Sequence, residues 1–378
     1  MINSDKVIYS VGIPFNFSGI GKIAYYGCQA LNEKQLLAIV LTTAYKTSEI
    51  PNSLIESFSL NPFLGKIHNR IGNYYVKDSL FDLWASKRIF KARGFYGWSD
   101  MSLLTIKQLK KIGVPTLIDR GSTEIKAQKR ILEGAFRNEG VKTNVIGEKL
   151  LNRIYEEEEI VDFIVFPSSF PKLSYLEEGF PESKLKVNTL GVDLKKFKPK
   201  EEYNSDKFRV IFVGLLGIRK GVHFLLRAWR KLGLKNAELI LIGTLEKYSK
   251  EIILNELRKT NNAIFLGGVD NPEFKYRECD VFILPSIEDG FGQVVIEAMA
   301  CGLPVIVTEN VGAKDCVRSG FDGLIIRPFS VDSICESILF FYSNPDKVQD
   351  MGRSGSIQAQ NFTWEAYQER FIKLFEEL

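Results

Sequence analysis

Short apolar runs alternate with amphipathic stretches of helical period along this chain, a pattern that predicts parallel sheets with helices on their faces. In the first half the strand candidates are KVIYSVG, LLAIVLT, PTLIDR, DFIVFPS and KVNTLG. In the second they are FRVIFVG, AELILIG, AIFLGG, VFILPS, PVIVTE and GLIIRP. Between the halves runs GVDLKKFKPKEEYNSDKF (191–208), polar, lysine-rich and holding one proline, which reads as a linker. The expected organisation is therefore a domain over 1–192, a linker over 193–207 and a second domain over 208–360. The final stretch, 361–378, carries an amphipathic helix whose Phe362, Trp364, Tyr367 and Phe371 need a surface to cover.

Composition narrows the class. The 378 residues suffice for two ordinary domains, and 45% apolar with 25% charged residues is the balance of a soluble globular protein. Cys28, Cys279, Cys301, Cys316 and Cys335 are scattered with no CxxC pair, which predicts reduced thiols in the cytoplasm. No signal peptide is visible, and no run reaches the roughly 20 apolar residues of a membrane helix. A net charge of +4 is too small to imply a nucleic-acid partner.

The chemistry concentrates between Pro285 and Thr308, PSIEDGFGQVVIEAMACGLPVIVT. An apolar strand delivers Glu288 and Asp289 onto the turn Gly290-Phe291-Gly292, and a helix begins, carries Glu297 and stops at Gly302 and Pro304. Free amides at a helix start and the helix dipole favour an anion there. Carboxylates do not bind phosphate, so Asp289 and Glu297 should face hydroxyl groups. A ligand with phosphate in its middle and hydroxylated rings at both ends is a nucleotide sugar.

This stretch resembles the signature of the retaining glycosyltransferases of family 4, in which a Glu, seven residues and a second Glu sit in a phrase like EGFGLVVLEAMACGLPVI. Here DGFGQVVIEAMACGLPVI places Asp289 where the first Glu is usual and Glu297 at the second. The resemblance implies the GT-B fold, an α/β architecture of two Rossmann-like doubly wound domains facing a cleft. It also implies transfer with retention at the anomeric carbon, and a last helix that crosses back onto the first domain. Asp289 would lie near the sugar and Glu297 would hold the nucleotide ribose.

The second half opens with VGLLGIRKGVHFLLRAW, where Arg219 and Lys220 sit on a loop between strand and helix. Arginine offers a fork and lysine a point charge to a diphosphate. In similar enzymes such a pair steadies the departing nucleotide; the family more often has an Arg directly after the strand's glycine, and Leu215 stands there. Gly19 and Gly21 place amides at the start of the first helix, and FLGGVD (265–270) makes Val269 a candidate contact to the base. Many relatives have a histidine at the end of the strand that reads PTLIDRGS here. Asp119 and Arg120 occupy that end instead, either as acid–base group and substrate anchor or as a buried pair. His223 reads as a capping or packing residue and His68 as a surface one.

Displacing a nucleoside diphosphate leaves positive charge on the sugar and negative charge on the leaving group, so cations and amides are wanted on one side and a carboxylate on the other. No Asp-x-Asp motif and no His/Cys cluster asks for a metal, so the expected reaction is metal-independent, without cofactor, with a UDP- or GDP-sugar as substrate. The acceptor is expected to be a glycan or a lipid-linked chain. Residues 66–149 hold 17 Lys/Arg against 8 Asp/Glu, and FDLWASKRIFKARGFYGW (81–98) interleaves aromatics with cations as membrane-surface segments do. Peripheral contact with an anionic bilayer is one expectation from this; packing of Phe81, Trp84 and Phe90 on the domain is the other. Two other readings are a non-catalytic glycosyltransferase-like partner subunit and another GT-B enzyme such as a nucleotide-sugar epimerase.

Overall fold

The computed structural model describes residues 5–17, 19–46, 49–59, 74–199, 206–376 and 378. They form two α/β domains, each on one wholly parallel sheet. The first sheet holds β1 (Val7–Val11), β2 (Leu37–Thr42), β3 (Ile55–Ser57), β4 (Gly94–Trp98), β5 (Thr116–Asp119), β6 (Phe163–Phe166) and β7 (Leu185–Val187), in the order β3-β2-β1-β4-β5-β6-β7. The second holds β8 (Phe208–Val213), β9 (Ala237–Ile242), β10 (Ala263–Gly267), β11 (Val281–Leu284), β12 (Val305–Thr308) and β13 (Gly323–Ile326), in the order β10-β9-β8-β11-β12-β13. Both orders run outward from the first strand and then reverse, the Rossmann-like, doubly wound plan. The central strands β1, β4 and β11 are buried at every position, as strands covered by helices on both faces must be.

Helices α1 (Ile20–Glu33), α2 (Tyr74–Ala85), α3 (Leu103–Lys111), α4 (Ile125–Asn138), α5 (Glu148–Ile160) and α6 (Ser169–Glu177) clothe the first sheet. Helices α7 (Val222–Leu232), α8 (Lys250–Arg258), α9 (Pro272–Arg277), α10 (Val294–Ala300), α11 (Val331–Ser343) and α12 (Pro345–Ala359) clothe the second. A final helix, α13 (Trp364–Glu376), lies against α1 of the first domain. Trp364 stacks on Tyr26 with ring centres 4.0 Å apart, and Phe371 packs edge-on to Tyr96 of β4 at 4.8 Å. The four aromatics read from the sequence as needing cover are thereby placed: Trp364, Tyr367 and Phe371 are buried and Phe362 is packed against the core.

The stretch over 81–98 is not one surface segment. Phe81 is fully buried, Trp84 and Phe90 pack against the core, and GFYGW is β4, paired with β1 and β5 in the middle of the sheet. Its lysines and arginines belong to the turn before the strand, where the chain leaves the helix layer, and Arg88 there stacks its guanidinium over Trp84 at 4.1 Å.

The two domains touch through α4. Its end contributes Ala135 and Phe136 to an apolar cluster with Ile218 and Ile287 of the second domain. Beyond it, Glu139 takes a fork of hydrogen bonds from Arg227 at 2.8 and 2.6 Å. The contact brings the C-terminal ends of the two sheets face to face.

Candidate donor site between the sheets

In an open doubly wound sheet a ligand binds outside the C-terminal strand ends where the strand order reverses. In the second domain that point lies between β8 and β11, and the loops following those two strands carry the predicted residues. Arg219 and Lys220 close the loop after β8, and α7 starts behind them at Gly221. That glycine has φ +68°, and an added Cβ would lie 1.9 Å from the Pro285 carbonyl oxygen, so the approach of the two loops requires it. Glu288, Asp289 and Gly290 form the turn after β11, and α10 follows.

The charged groups are already organised. The Lys220 ammonium pairs with the Asp289 carboxylate. Arg219 donates its Nε to Glu288 Oε2 at 2.7 Å and its Nη2 to Ser122 Oγ of the first domain at 3.3 Å. Burial works against the charge on Arg219, but Glu288 and Asp289 outweigh it and keep the guanidinium protonated. The Asp289 backbone is fixed on both sides: its N–H donates to the Asn310 carbonyl at 3.0 Å, and its own carbonyl accepts from Gly312 N at 2.9 Å. One carboxylate and one ammonium therefore meet in direct contact at the mouth of the second sheet, a tenth to a fifth exposed, beside the start of α10.

Gly290 is pressed against the first domain. An added Cβ would lie 2.1 Å from the Gly121 carbonyl oxygen, and its own carbonyl accepts from Ser168 Oγ at 2.6 Å. Phe291 turns its ring into the core, which leaves only its backbone for a ligand, while Gly292 is half-buried behind Asp289. Glu297 stands in the first turn of α10, half-buried. Burial pushes its carboxyl up to about 7, against the pull of Lys196 and of the Tyr276 hydroxyl. Val269 is half-buried beyond β10 and rests on the core. Leu215, where a cation is usual in the resemblance, is 45% exposed.

In the first domain the switch point lies between β1 and β4. Gly19 is the exposed residue before α1, and Gly21 in the first turn accepts from Asn16 N at 2.9 Å, so the loop folds back on itself there. Asp119 and Arg120 do not pair with one another; successive residues at a strand end point to opposite faces. Asp119 accepts from the Tyr96 hydroxyl at 2.9 Å, on the side covered by α13, and burial pushes its carboxyl up to about 7. Arg120 donates to Gln128 Oε1 and the Thr123 carbonyl, both at 3.1 Å, with Glu158 3.5 Å from its Nε. Both are over nine-tenths buried. They are held in the body of the domain, with no solvent-open side chain at the strand end.

Glu288 is the residue whose place the sequence did not indicate. It is fully buried and accepts from both domains: Thr123 N at 3.1 Å, Thr123 Oγ1 at 3.2 Å and Gln128 Nε2 at 3.4 Å, besides Arg219. His223 is buried too, its Nε2 3.6 Å from Glu139, and burial lowers its pKa to about 4. That agrees with a packing residue; His68 lies outside the described residues. A cavity of about 670 Å³ lies elsewhere, at the N-terminal ends of β8, β11 and β12 beside Phe208, Asp280 and Leu303, away from these groups. Among the described residues no cluster of His, Cys, Asp and Glu has the makings of a metal site.

Residues 193–358, which contain the whole of this second-domain arrangement, match the family described as glycosyl transferases group 1. That match takes in the second domain, less than half of the chain. Over 183 residues the chain is 30% identical to the capsular polysaccharide biosynthesis glycosyltransferase CapM of Staphylococcus aureus, covering 45% of this chain and 48% of CapM. The chain spans about half the length of the curated relatives it matches. Among solved structures it superposes on Anabaena HepE in complex with UDP-glucose, TM-score 0.72, 16% identical, over 99% of this chain and 100% of that one. It also superposes on WaaG, a glycosyltransferase of lipopolysaccharide biosynthesis, TM-score 0.73, 14% identical, over 98% and 99%. At these identities the likeness shows the fold, and the fold is GT-B: two Rossmann-like domains.

Proposed function

We propose that this chain is a glycosyltransferase that moves a sugar from a nucleotide-sugar donor to a glycan or lipid-linked acceptor in polysaccharide or glycolipid synthesis. The observation that carries the reading is the contact of Lys220 with Asp289 at the switch point of the domain that matches group 1, beside a helix start. On this reading the donor's diphosphate takes Lys220 from Asp289, helped by Arg219 and the amides after Gly290. Asp289, released, faces the sugar, where it offsets the positive charge that grows on the ring as the bond to the leaving group breaks. Glu297 accepts from the ribose hydroxyls. The cations stabilise the departing diphosphate, so the reaction is metal-independent, and the resemblance to family 4 supplies retention. The UDP-glucose bound by the structurally similar HepE makes a UDP-sugar the first donor to try, with GDP-sugars next.

The test is a thermal-shift panel of UDP, GDP and ADP with their common sugars, with and without EDTA. A ligand at a hundred times its dissociation constant stabilises the fold by about 2.7 kcal/mol. One nucleotide should raise the midpoint and EDTA should leave the shift unchanged. A shift that EDTA abolishes would replace the cation mechanism by a metal one, and no shift from any nucleotide would favour a non-catalytic subunit.

The acceptor side bears a second, smaller proposal. Between 74 and 93 both carboxylates, Asp78 and Asp82, face inward and are buried, while Val76, Leu80 and Leu83 stand 44%, 39% and 44% exposed at helical spacing on α2. Lys77, Lys87 and Lys91 flank them. An outward face of apolar and basic residues suits an anionic bilayer, and we place the protein at the cytoplasmic side of one. Among the described residues no helix is long and apolar enough to cross a membrane. Co-sedimentation with phosphatidylglycerol vesicles at low salt should be lost in Leu80→Asp/Leu83→Asp. Equal binding by that variant, or self-association through α2 in place of vesicle binding, would remove the membrane.

A further inference from the structure

Glu288 belongs to none of the groups that the donor reading uses, yet it has more hydrogen-bond donors around it than any of them. Its two carboxylate oxygens divide the work. Oε1 accepts from the backbone and hydroxyl of Thr123, at the approach to α4 of the first domain. Oε2 accepts from Arg219 of the second domain and, at 3.4 Å, from Gln128 on α4. A buried carboxylate needs all such partners, since an unpaired charge away from water is far costlier than a paired one. Moving the domains apart would strip Glu288 of Thr123 and Gln128 together, and would part Arg219 from Ser122 in the same motion.

The neighbours on either side fix what that closure achieves. Asp289, next in the chain, holds Lys220, and Gly290, next again, sits on the Gly121 carbonyl and under Ser168. Consecutive side chains of one turn thus face opposite ways: 288 into the first domain, 289 into the proposed donor site. We propose that Glu288 is a positioning residue that acts through Arg219, Thr123 and Gln128 to hold the two domains in the register that brings Asp289 and the glycine turn up to the first domain. Arg219, on this assignment, is spent mainly on the tie, and Lys220 is the principal diphosphate cation. The inference rests on the donor reading, because register matters to the extent that donor and acceptor meet between the domains.

The experiment compares the full-length wild type with Glu288→Ala, Glu288→Gln and Arg219→Gln. Three quantities are read: solution X-ray scattering without ligand, calorimetric affinity for UDP and GDP, and release of nucleotide from UDP-glucose and GDP-mannose. The Gln variant keeps side-chain volume and serves where the Ala variant fails to fold. Loss of the tie should widen the scattering envelope and slow turnover about 100-fold, the cost of an ångström-scale misplacement. Nucleotide affinity of the Glu288 variants should move less than about threefold, since the second domain keeps its own contacts. Arg219→Gln should widen the envelope and slow turnover as Glu288→Gln does, with a further loss of affinity from its share in the diphosphate contact, and the double variant should be no slower than Arg219→Gln alone. An unchanged envelope and rate in Glu288→Gln would overturn the proposal while leaving the donor reading intact. Affinity falling in step with turnover in Glu288→Gln would make Glu288 part of the nucleotide site and would overturn it too. A wild type that binds neither nucleotide would overturn both.

Discussion

The two sheets present their C-terminal ends to each other with opposite chemistry. After β8 and β11 the second domain ends in paired charges, Lys220 with Asp289 and Arg219 with Glu288, at a surface where two of the four side chains remain partly open. At the end of β5 the first domain has an equally charged pair of residues, but Asp119 is sealed under α13 against Tyr96 and Arg120 is sealed under α5 against Glu158. One end has charge that a ligand can compete for. The other has charge committed to holding the domain together. The lesson is that a carboxylate and a cation at a strand end are not a site until their partners are known; a contact to an open lysine and a contact to a buried tyrosine are different things.

Breaking the open pair should cost the most in function. Lys220→Ala is expected to lower turnover about 100- to 1,000-fold, the loss typical of one electrostatic donor to a leaving group, with thermal midpoint nearly unchanged. Steady-state kinetics with the donor found in the thermal panel checks it. Arg120→Leu should do the reverse: it strands Glu158 without a cation in the core and should cost about 3–5 kcal/mol of stability, read by urea denaturation. If Arg120→Leu were instead stable and inactive, the contrast between the domains would be wrong. Gly290→Ala should disturb the contact between the domains, because its Cβ would meet the Gly121 carbonyl at 2.1 Å. A loss of turnover with nucleotide affinity retained is expected, and the same two assays separate the terms.

Smaller effects sharpen the comparison. Glu297→Ala should weaken the nucleotide about 10- to 100-fold, the worth of hydrogen bonds to a charged group, and unchanged affinity would remove Glu297 from the site. The first domain should leave its mark on pH dependence. Burial raises the carboxyls of Asp119 and Glu158 to about 7, so from about pH 4 to pH 7 the folded state holds protons that the unfolded chain has released. Stability should therefore fall as pH rises through that window, and Asp119→Asn should flatten the slope. Thermal midpoints from pH 5 to pH 8 measure it; a rising midpoint in the wild type would contradict the sign.

How far the sequence could be read follows the same division. Strands buried on both faces announce themselves as apolar runs, so most of both sheets was visible, as was the glycine turn after β11. β4 was hidden because GFYGW carries two glycines and follows four cations, which imitates an exposed aromatic segment, although the strand lies at the centre of its sheet. β3, three residues with one buried, has too little pattern to register. That Arg219, Lys220 and Asp289 lie on the loop and turn after β8 and β11 was legible because those positions are local. The ties of Glu288 were not, since its partners Thr123 and Gln128 lie about 160 residues away on the other domain and no local spacing reports them. Likewise, alternation along β5 separates the faces of Asp119 and Arg120, but Tyr96 and Glu158 come from other elements and decide their fate.

The most direct measurement is isothermal titration of the wild type and Lys220→Ala with UDP, GDP and ADP in the presence of EDTA. The account predicts one nucleotide bound by the wild type without metal, and its affinity reduced at least about tenfold in the variant, the loss of one charge-assisted contact. Equal affinity in the two proteins, or binding that requires a divalent ion, would contradict a diphosphate held by the cation at the switch point of the second sheet.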